Sequence, residues 1–443
     1  MKNIVLKKGH DIKMSGVPSN KSFSEIPCLS VALMPNQFRG VKPKLTVSEG
    51  EKVKIGQALF FDKTKPDVKW ASPANGVIKE IKFGARRVIE KIEISIDGDE
   101  VLKSDVLSKE QIKSSNRETI LNYILDANLF PLIRQRPFNK VADPNIIPRD
   151  IFISGYNTAP LSVDLEKIIA ENKEIFQLGL TALRKLTSGE IFLTLKNKMS
   201  FEDAHVQTIS GPHPAGNVGV QIHHTKPLKP NDVIWTVNAQ HVITFGKLFK
   251  TGSYDPKIIV SIGGSGASNP DVVKTRTGAK IDSFLVNQSK DKLVRLISGD
   301  VLTGNTVDGD NFIGMYDSIV TIIDDDVKRP FLGMLSLGSS KTKYSLTNTF
   351  LTLTNSLFNF TTSQNGEKRA IVPINAWENV LPMDIFPNPL YRAILSQDIE
   401  EMEKLGIWEC DDEDFALCSF ACPSKIDVGK VIRDGLDLME LEG

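Results

Sequence analysis

The hydrophobic period of this chain changes along its length, and that succession limits the fold more than any single motif. Over residues 1–102 the period is two. Ile92, Ile94 and Ile96 alternate with Glu93 and Ser95, as in a half-buried strand. The tight-turn dipeptide Asn75-Gly76 leads into Val77-Ile78 and Ile81. From 103 to 256 helical spacing (109–128, 165–185, 242–249) interleaves with short apolar runs (150–153, 191–193, 233–235), which predicts an α/β unit with mainly parallel strands. Residues 257–375 return to β, with runs at 258–260, 293–297, 319–323 and 347–354. The tail, 376–443, reads as helical, punctuated by Pro387, Pro389 and Gly406. At 443 residues the chain has room for several domains.

The balance of charge excludes some roles. Lys+Arg and Asp+Glu are both 54, so there is no basic excess of the kind a phosphate backbone selects, and nucleic acid is not an expected partner. No window approaches the ~18 apolar residues of a membrane helix. The opening residues carry only a short apolar block, Ile4-Val5-Leu6, so no secretion signal is expected. Four cysteines in such a length make no disulfide framework, and a reducing cytoplasm suits them.

Several motifs bear on chemistry. The glycine-punctuated stretch 47–59 and Ser72-Pro73-Ala74-Asn75-Gly76 look like the hammerhead of lipoyl and biotinyl carriers. The hairpin tip at 62–67 is long and holds Pro66, so the scaffold is expected without its modified lysine. Near the C-terminus the ferredoxin run C-x2-C-x2-C-x3-C-P falls on Asp412, Phe415, Cys418 and Cys422, followed by Pro423, with Cys410 out of register. Only two of the four ligand positions hold cysteine, which describes a cluster site that has lost its cluster. The glycines at 263–266 lack a Gly-Lys-Ser/Thr ending and a third spaced glycine, so a strand–turn–strand is expected rather than a phosphate loop. Five of the six histidines lie between 205 and 241. The densest stretch, 211–224, has two prolines and three glycines and reads as a rigid irregular loop, with no ligand set for a metal. Arg134-Gln-Arg136-Pro137-Phe138 could hold an anion but reads as a solvated basic turn.

A longer resemblance runs through the whole chain. KKGHDIKMSGVP at 7–18, RPFNKV at 136–141, GPHPAGNVGVQIHH at 211–224 and WTVNAQHVITFGKLFKTG at 235–252 are followed by two further segments. These are LFNFTTSQNGEKRAIVPINAWENVLPMDI at 357–385 and DEDFALCSFACPSK at 412–425. In this order they resemble the A subunits of sodium-translocating NADH:quinone oxidoreductases. A wider likeness extends to the flavin- and iron–sulfur-binding subunits of respiratory NADH dehydrogenases.

The resemblance implies a carrier-like (barrel-sandwich) β domain over 1–102, a Rossmann-like α/β domain over 103–256, a β-grasp (soluble-ligand-binding) domain over 257–375 and a helical domain over 376–443. It implies a peripheral subunit on the cytoplasmic side of the bacterial inner membrane, in a complex that passes electrons from NADH to ubiquinone and exports sodium. Membrane contact would run through partner subunits. FMN, FAD, iron–sulfur centres and riboflavin would belong to those partners, leaving this chain without cofactor, metal or catalytic residue. His213, His223 and His224 are the nominated quinone-proximal residues. An NADH-oxidising flavoprotein and a purely structural scaffold stay open as alternatives.

Overall fold

The computed structural model describes residues 2–285, 293–307, 312–325, 331–332, 335, 344–346 and 357–443. The strand expected over 347–354 lies outside them.

The first unit is a pair of small antiparallel sheets. One holds Ser30–Leu33, Ile89–Ile96, Gly76–Phe83 and Lys52–Val53; the other holds Pro43–Leu45, Ala58–Asp62 and Lys65–Ala71. They close on a shared core in which Phe60 and Trp70 stack at 4.6 Å, with Phe38 beside them. The alternation of Ile92 and Ile94 turns both isoleucines inward, but Glu93 is buried too. It can be, because Lys79 and Lys91 reach its two oxygens at 2.8 and 2.9 Å.

The first 25 residues serve other sheets. Asn3–Val5 pairs in parallel with His205–Ser210, and Ser19–Glu25 pairs in parallel with Asp271–Arg276. The segment 1–102 therefore contributes strands to the barrel and, as a strap, to both units that follow.

The second unit is a seven-stranded sheet. Its parallel part runs Asn3–Val5, His205–Ser210, Ile191–Leu195, Ile151–Ser154 and Ile234–Asn238; Ile133–Arg136 and Lys140–Val141 extend it antiparallel. Ile151, Ile153, Leu193, Trp235 and Val237 bury one face against helices Leu165–Glu171, Lys173–Leu183 and Ala239–Thr251. Two stretches expected as single helices are each split. Asn116 caps the second half of the first, accepting from Thr119 N–H at 2.9 Å. Asn172 breaks the other by donating back to Ile168 O at 2.9 Å. Asparagine offers the backbone a local alternative to the helical bond. From Ile151–Ser154 the chain moves toward one edge, then returns through helix Val218–Thr225 on the opposite face to Ile234–Asn238. The ends of those two strands bound a topological switch point, where open α/β sheets bind ligands.

The third sheet orders as Asn305–Val307, Val294–Ser298, Ile319–Asp324, Lys257–Gly263, Asp271–Arg276 and Ser19–Glu25. The glycine run after Gly263 is the turn of a hairpin. It lets two chain segments cross closely: Gly264 N–H donates to Gly16 O at 3.0 Å, and a Cβ on Gly16 would sit 2.0 Å from Gly264 O. The tail forms helices Pro387–Leu395, Ile399–Lys404, Asp412–Ala421 and Val428–Glu442 around Leu390, Met402, Phe415, Ile432 and Leu436. Among the described residues no helix is long and apolar enough to cross a membrane.

Candidate functional site

A cleft of about 2040 Å³ opens where these units meet. On the sheet side its lining includes Arg134, Asn157 and Asn238, the last two at the switch-point strand ends. From the third unit come Asp300, Tyr316 and Asp317; from the tail side come Tyr344, Phe360 and Phe420. The aromatic wall is continuous. Tyr344 lies 5.0 Å from Phe358, 5.8 Å from Phe360 and 6.0 Å from Phe420, and its hydroxyl meets His10 Nε2.

The opposite wall is polar and fixed. Tyr316 donates to Pro131 O at 2.7 Å, and its ring carries the Arg134 guanidinium at 4.9 Å. Burial, with the neighbouring charge of Arg134, pushes His241 down to about 4. Asp317 accepts from Ser298 Oγ at 2.6 Å, and burial raises its carboxyl above the usual range, with Asp300 adding to the shift.

The nominated histidines separate. His213 is buried; its Nδ1 lies 3.1 Å from Thr158 Oγ1, and its own N–H donates to Asp11 Oδ1 at 2.8 Å. Thr158 adjoins Asn157 of the cleft. His223 and His224 lie on helix Val218–Thr225, not in the irregular loop expected over 211–224, which ends at Asn217. His223 Nε2 accepts Asp384 N–H at 3.0 Å, so its Nδ1–H is the donor to Glu409 Oε2 at 2.8 Å. His224 Nε2–H donates to Pro382 O at 2.6 Å. Together they clamp segment 382–384 and Glu409 to the helix. His223→Ala is expected to destabilise that seam by about 1–3 kcal/mol, read as faster hydrogen exchange at 382–384. Exchange at wild-type rates there would mean the clamp is idle.

The residues aligned with the ferredoxin run do not present a set of thiolates. Phe415 is fully buried. Burial pushes the Cys418 thiol up; its Sγ faces Trp377 O at 3.8 Å, and Cys422 is buried in the same apolar cluster. Burial likewise raises Cys410. Burial would raise Asp412 as well, but the hydrogen bond and charge of Arg433, with Arg39, hold it at about 2. An iron–sulfur cluster takes thiolates from a full ligand set, and this donor set does not fit one. Among the described residues no group of three or more His, Cys, Asp or Glu could hold a metal ion.

Arg136 corrects the expectation of a solvated basic turn. It is 1% exposed and lies among Asp411 at 3.0 Å, Asp414 at 3.4 Å and Glu413. Arg433 bonds Asp411, Asp412 at 2.9 Å and Phe138 O at 3.0 Å, while Asn139 donates to Asp411 at 2.6 Å. Asp414 presses on the first turn of helix Val218–Thr225: a Cβ on Gly219 would lie 1.9 Å from its Oδ2. This seam joins the sheet to the tail. Its trace in the sequence is a basic pair and an acid run, each without a local partner.

Barrel-sandwich, largely parallel α/β and β-rich units sharing one cleft with a helical tail define a multidomain chain. Family models match it in three stretches: the NqrA N-terminal barrel-sandwich hybrid domain over 4–97, the NqrA second alpha/beta domain over 115–254 and the NQRA C-terminal domain over 259–309. The A subunits of the Na(+)-translocating NADH-quinone reductases of Hahella chejuensis and Saccharophagus degradans are each 37% identical to it, and that of Pseudomonas aeruginosa is 38% identical. Each comparison covers 99% of this chain and 100% of the relative. The chain belongs to this family of A subunits.

Proposed function

We propose that this chain works as a peripheral subunit without a redox centre of its own, at the quinone end of the complex. That complex passes electrons from NADH to ubiquinone and exports sodium. The chain docks on membrane subunits at the cytoplasmic side of the bacterial inner membrane, and those partners carry the FMN, FAD, riboflavin and iron–sulfur centres. The parallel unit is read as Rossmann-like on its switch point, and the third unit as a β-grasp (soluble-ligand-binding) domain.

One observation carries the quinone reading: a switch-point cleft with an aromatic wall on one side and fixed polar groups on the other. A quinone head is flat, carries two acceptor oxygens and trails an apolar tail. Ordinary small-molecule sites span about 300–1,000 Å³, so a cleft of about 2040 Å³ leaves room for head and tail together. Of the three nominated histidines, His213 is nearest this cleft, through Thr158. His223 and His224 have ring nitrogens engaged in the clamp. The displaced ligand set at 412–422 favours electron carriers elsewhere in the complex.

Two measurements test the reading. A photoreactive quinone added to the intact complex is expected to label peptides from 344–369 or 412–425. Labelling confined to other subunits would leave a scaffold. The chain purified alone without oxygen is expected to show no absorbance above the aromatic band. A yellow or brown band would make it a cofactor-bearing subunit.

A further inference from the structure

Arg39, Arg136 and Arg433 all direct their charge at the acid run 411–414. Arg134 does not. Among the described residues no carboxylate lies within ion-pair distance of it, although its charge reaches Asp317, and its guanidinium rests on the face of Tyr316. Tyr316 holds it in place, since the ring is pinned by its own hydroxyl and packed near Phe38 and His241. A positioned cation therefore faces the cleft with its fork of N–H groups available.

Its neighbours extend the same chemistry. Strand register sets Arg134 opposite Thr236, and Asn238 lies two residues further along the same sheet face. Thr236 is buried, and its hydroxyl has no partner among the described residues. Asn238 commits its Oδ1 to Gln240 N–H at 2.8 Å, and Asn157 commits its Oδ1 to Ala159 N–H at 2.8 Å. With the acceptor end of each amide held inward, each Nδ2 is left as a donor at the cleft surface. Helix Ala239–Thr251 starts directly behind Asn238 and adds the positive end of its dipole.

We propose that Arg134, Asn157 and Asn238 form a donor cradle for one carbonyl oxygen of a quinone head, and that it distinguishes quinone from hydroquinone. The proposal rests on the reading that quinone enters this cleft. A carbonyl oxygen only accepts, with two lone pairs, so it can take hydrogen bonds from two of these donors while the third lies beside it. The hydroxyl of a hydroquinone brings a proton of its own to a place that already supplies protons. A phosphate suits the cradle less well, because the carboxylates of Asp300 and Asp317 line the same cleft and would repel a dianion.

The test uses the full chain and a short-tailed, water-soluble ubiquinone, with binding followed by equilibrium dialysis. The reduced form is measured in parallel without oxygen. Wild type is expected to bind the quinone at least about tenfold more tightly than the hydroquinone. Arg134→Met is expected to weaken quinone binding about tenfold or more and to erase most of that preference. Arg134→Lys keeps the charge without the fork and should fall between. Asn238→Asp and Asn157→Asp keep the acceptor that each turn needs but remove the donor, so they should weaken quinone binding with unchanged melting. Wild-type affinity and preference in all four variants would overturn the cradle while leaving the cleft reading intact. No binding to the wild-type chain, with no cleft labelling in the complex, would overturn both.

Discussion

Arg136→Met is expected to release the C-terminal helices before any other part of the chain unfolds. The guanidinium is 1% exposed and is shared by Asp411 and Asp414, both fully or almost fully buried. A methionine fills similar volume but leaves Asp411 to Arg433 alone and the buried Asp414 carboxyl without its cation, and removing one partner of such a network costs about 3–5 kcal/mol. The loss falls on a seam, because Arg136 belongs to strand Ile133–Arg136 of the sheet while its partners open helix Asp412–Ala421 of the tail. Trp408 packs on Phe138 at 5.7 Å and Trp377 is buried in the same tail cluster, so both report the tail, whereas Trp70 and Trp235 are buried in the barrel and sheet. In urea the variant should show an early transition in tail tryptophan fluorescence and fast hydrogen exchange over 411–442, followed by a main transition near that of wild type. Arg136→Lys should recover part of the loss, keeping charge without the bidentate fork. A single transition at the wild-type midpoint would show that the seam is held by apolar packing alone.

The elements legible in the sequence are those whose signal is local. The strands at 89–96, 151–154, 191–195 and 234–238 announce themselves by apolar runs bounded by turns, and the tail helices by their spacing. What stays hidden depends on contacts between distant residues. Ser19–Glu25 is largely polar and gains a partner only at Asp271–Arg276. Arg136 beside a proline looks like surface until Asp414, 278 residues later, folds against it. The helix that carries His223 and His224 is obscured by Gly219, which reads as a loop residue. Its missing side chain instead leaves space for the Asp414 carboxylate. The cleft draws its lining from every unit, so local spacing cannot outline it. Local reading places Arg134 in a run that reads as a solvated basic turn, and His213 proves to be buried behind Thr158.

Docking of the tail is expected to weaken as pH rises above about 6, where Asp411 has titrated, and Asp414→Asn is expected to flatten that dependence. Burial raises Asp414 well above the ordinary carboxylate range, with Arg136 working against the shift; its Oδ1 has no hydrogen-bond partner among the described residues. The folded state therefore holds that proton to a higher pH than the unfolded chain, which releases it near pH ~4. A raised acid stabilises the fold most at low pH, and this contribution is lost as pH climbs through the folded value, by up to about 1.4 kcal/mol per unit. The surrounding groups fix the useful window. Asp411, lifted by burial to about 6 despite Arg136 and Arg433, titrates mostly below it. Asp412, held at about 2 against burial by Arg433 and Arg39, is charged throughout. His213, lowered by burial, is neutral in the folded chain and also above the ordinary histidine value when unfolded, so its effect is confined to lower pH. The wild type should lose tail stability as pH rises, measured as a falling urea midpoint for tail tryptophan fluorescence. The carboxamide of Asp414→Asn keeps the shape beside Gly219 and carries no proton to lose. Its midpoint should stay level and exceed wild type most at the alkaline end of that range. Parallel curves for the two proteins would mean that Asp414 is already ionised in the folded chain, with Arg136 supplying enough charge to keep it so.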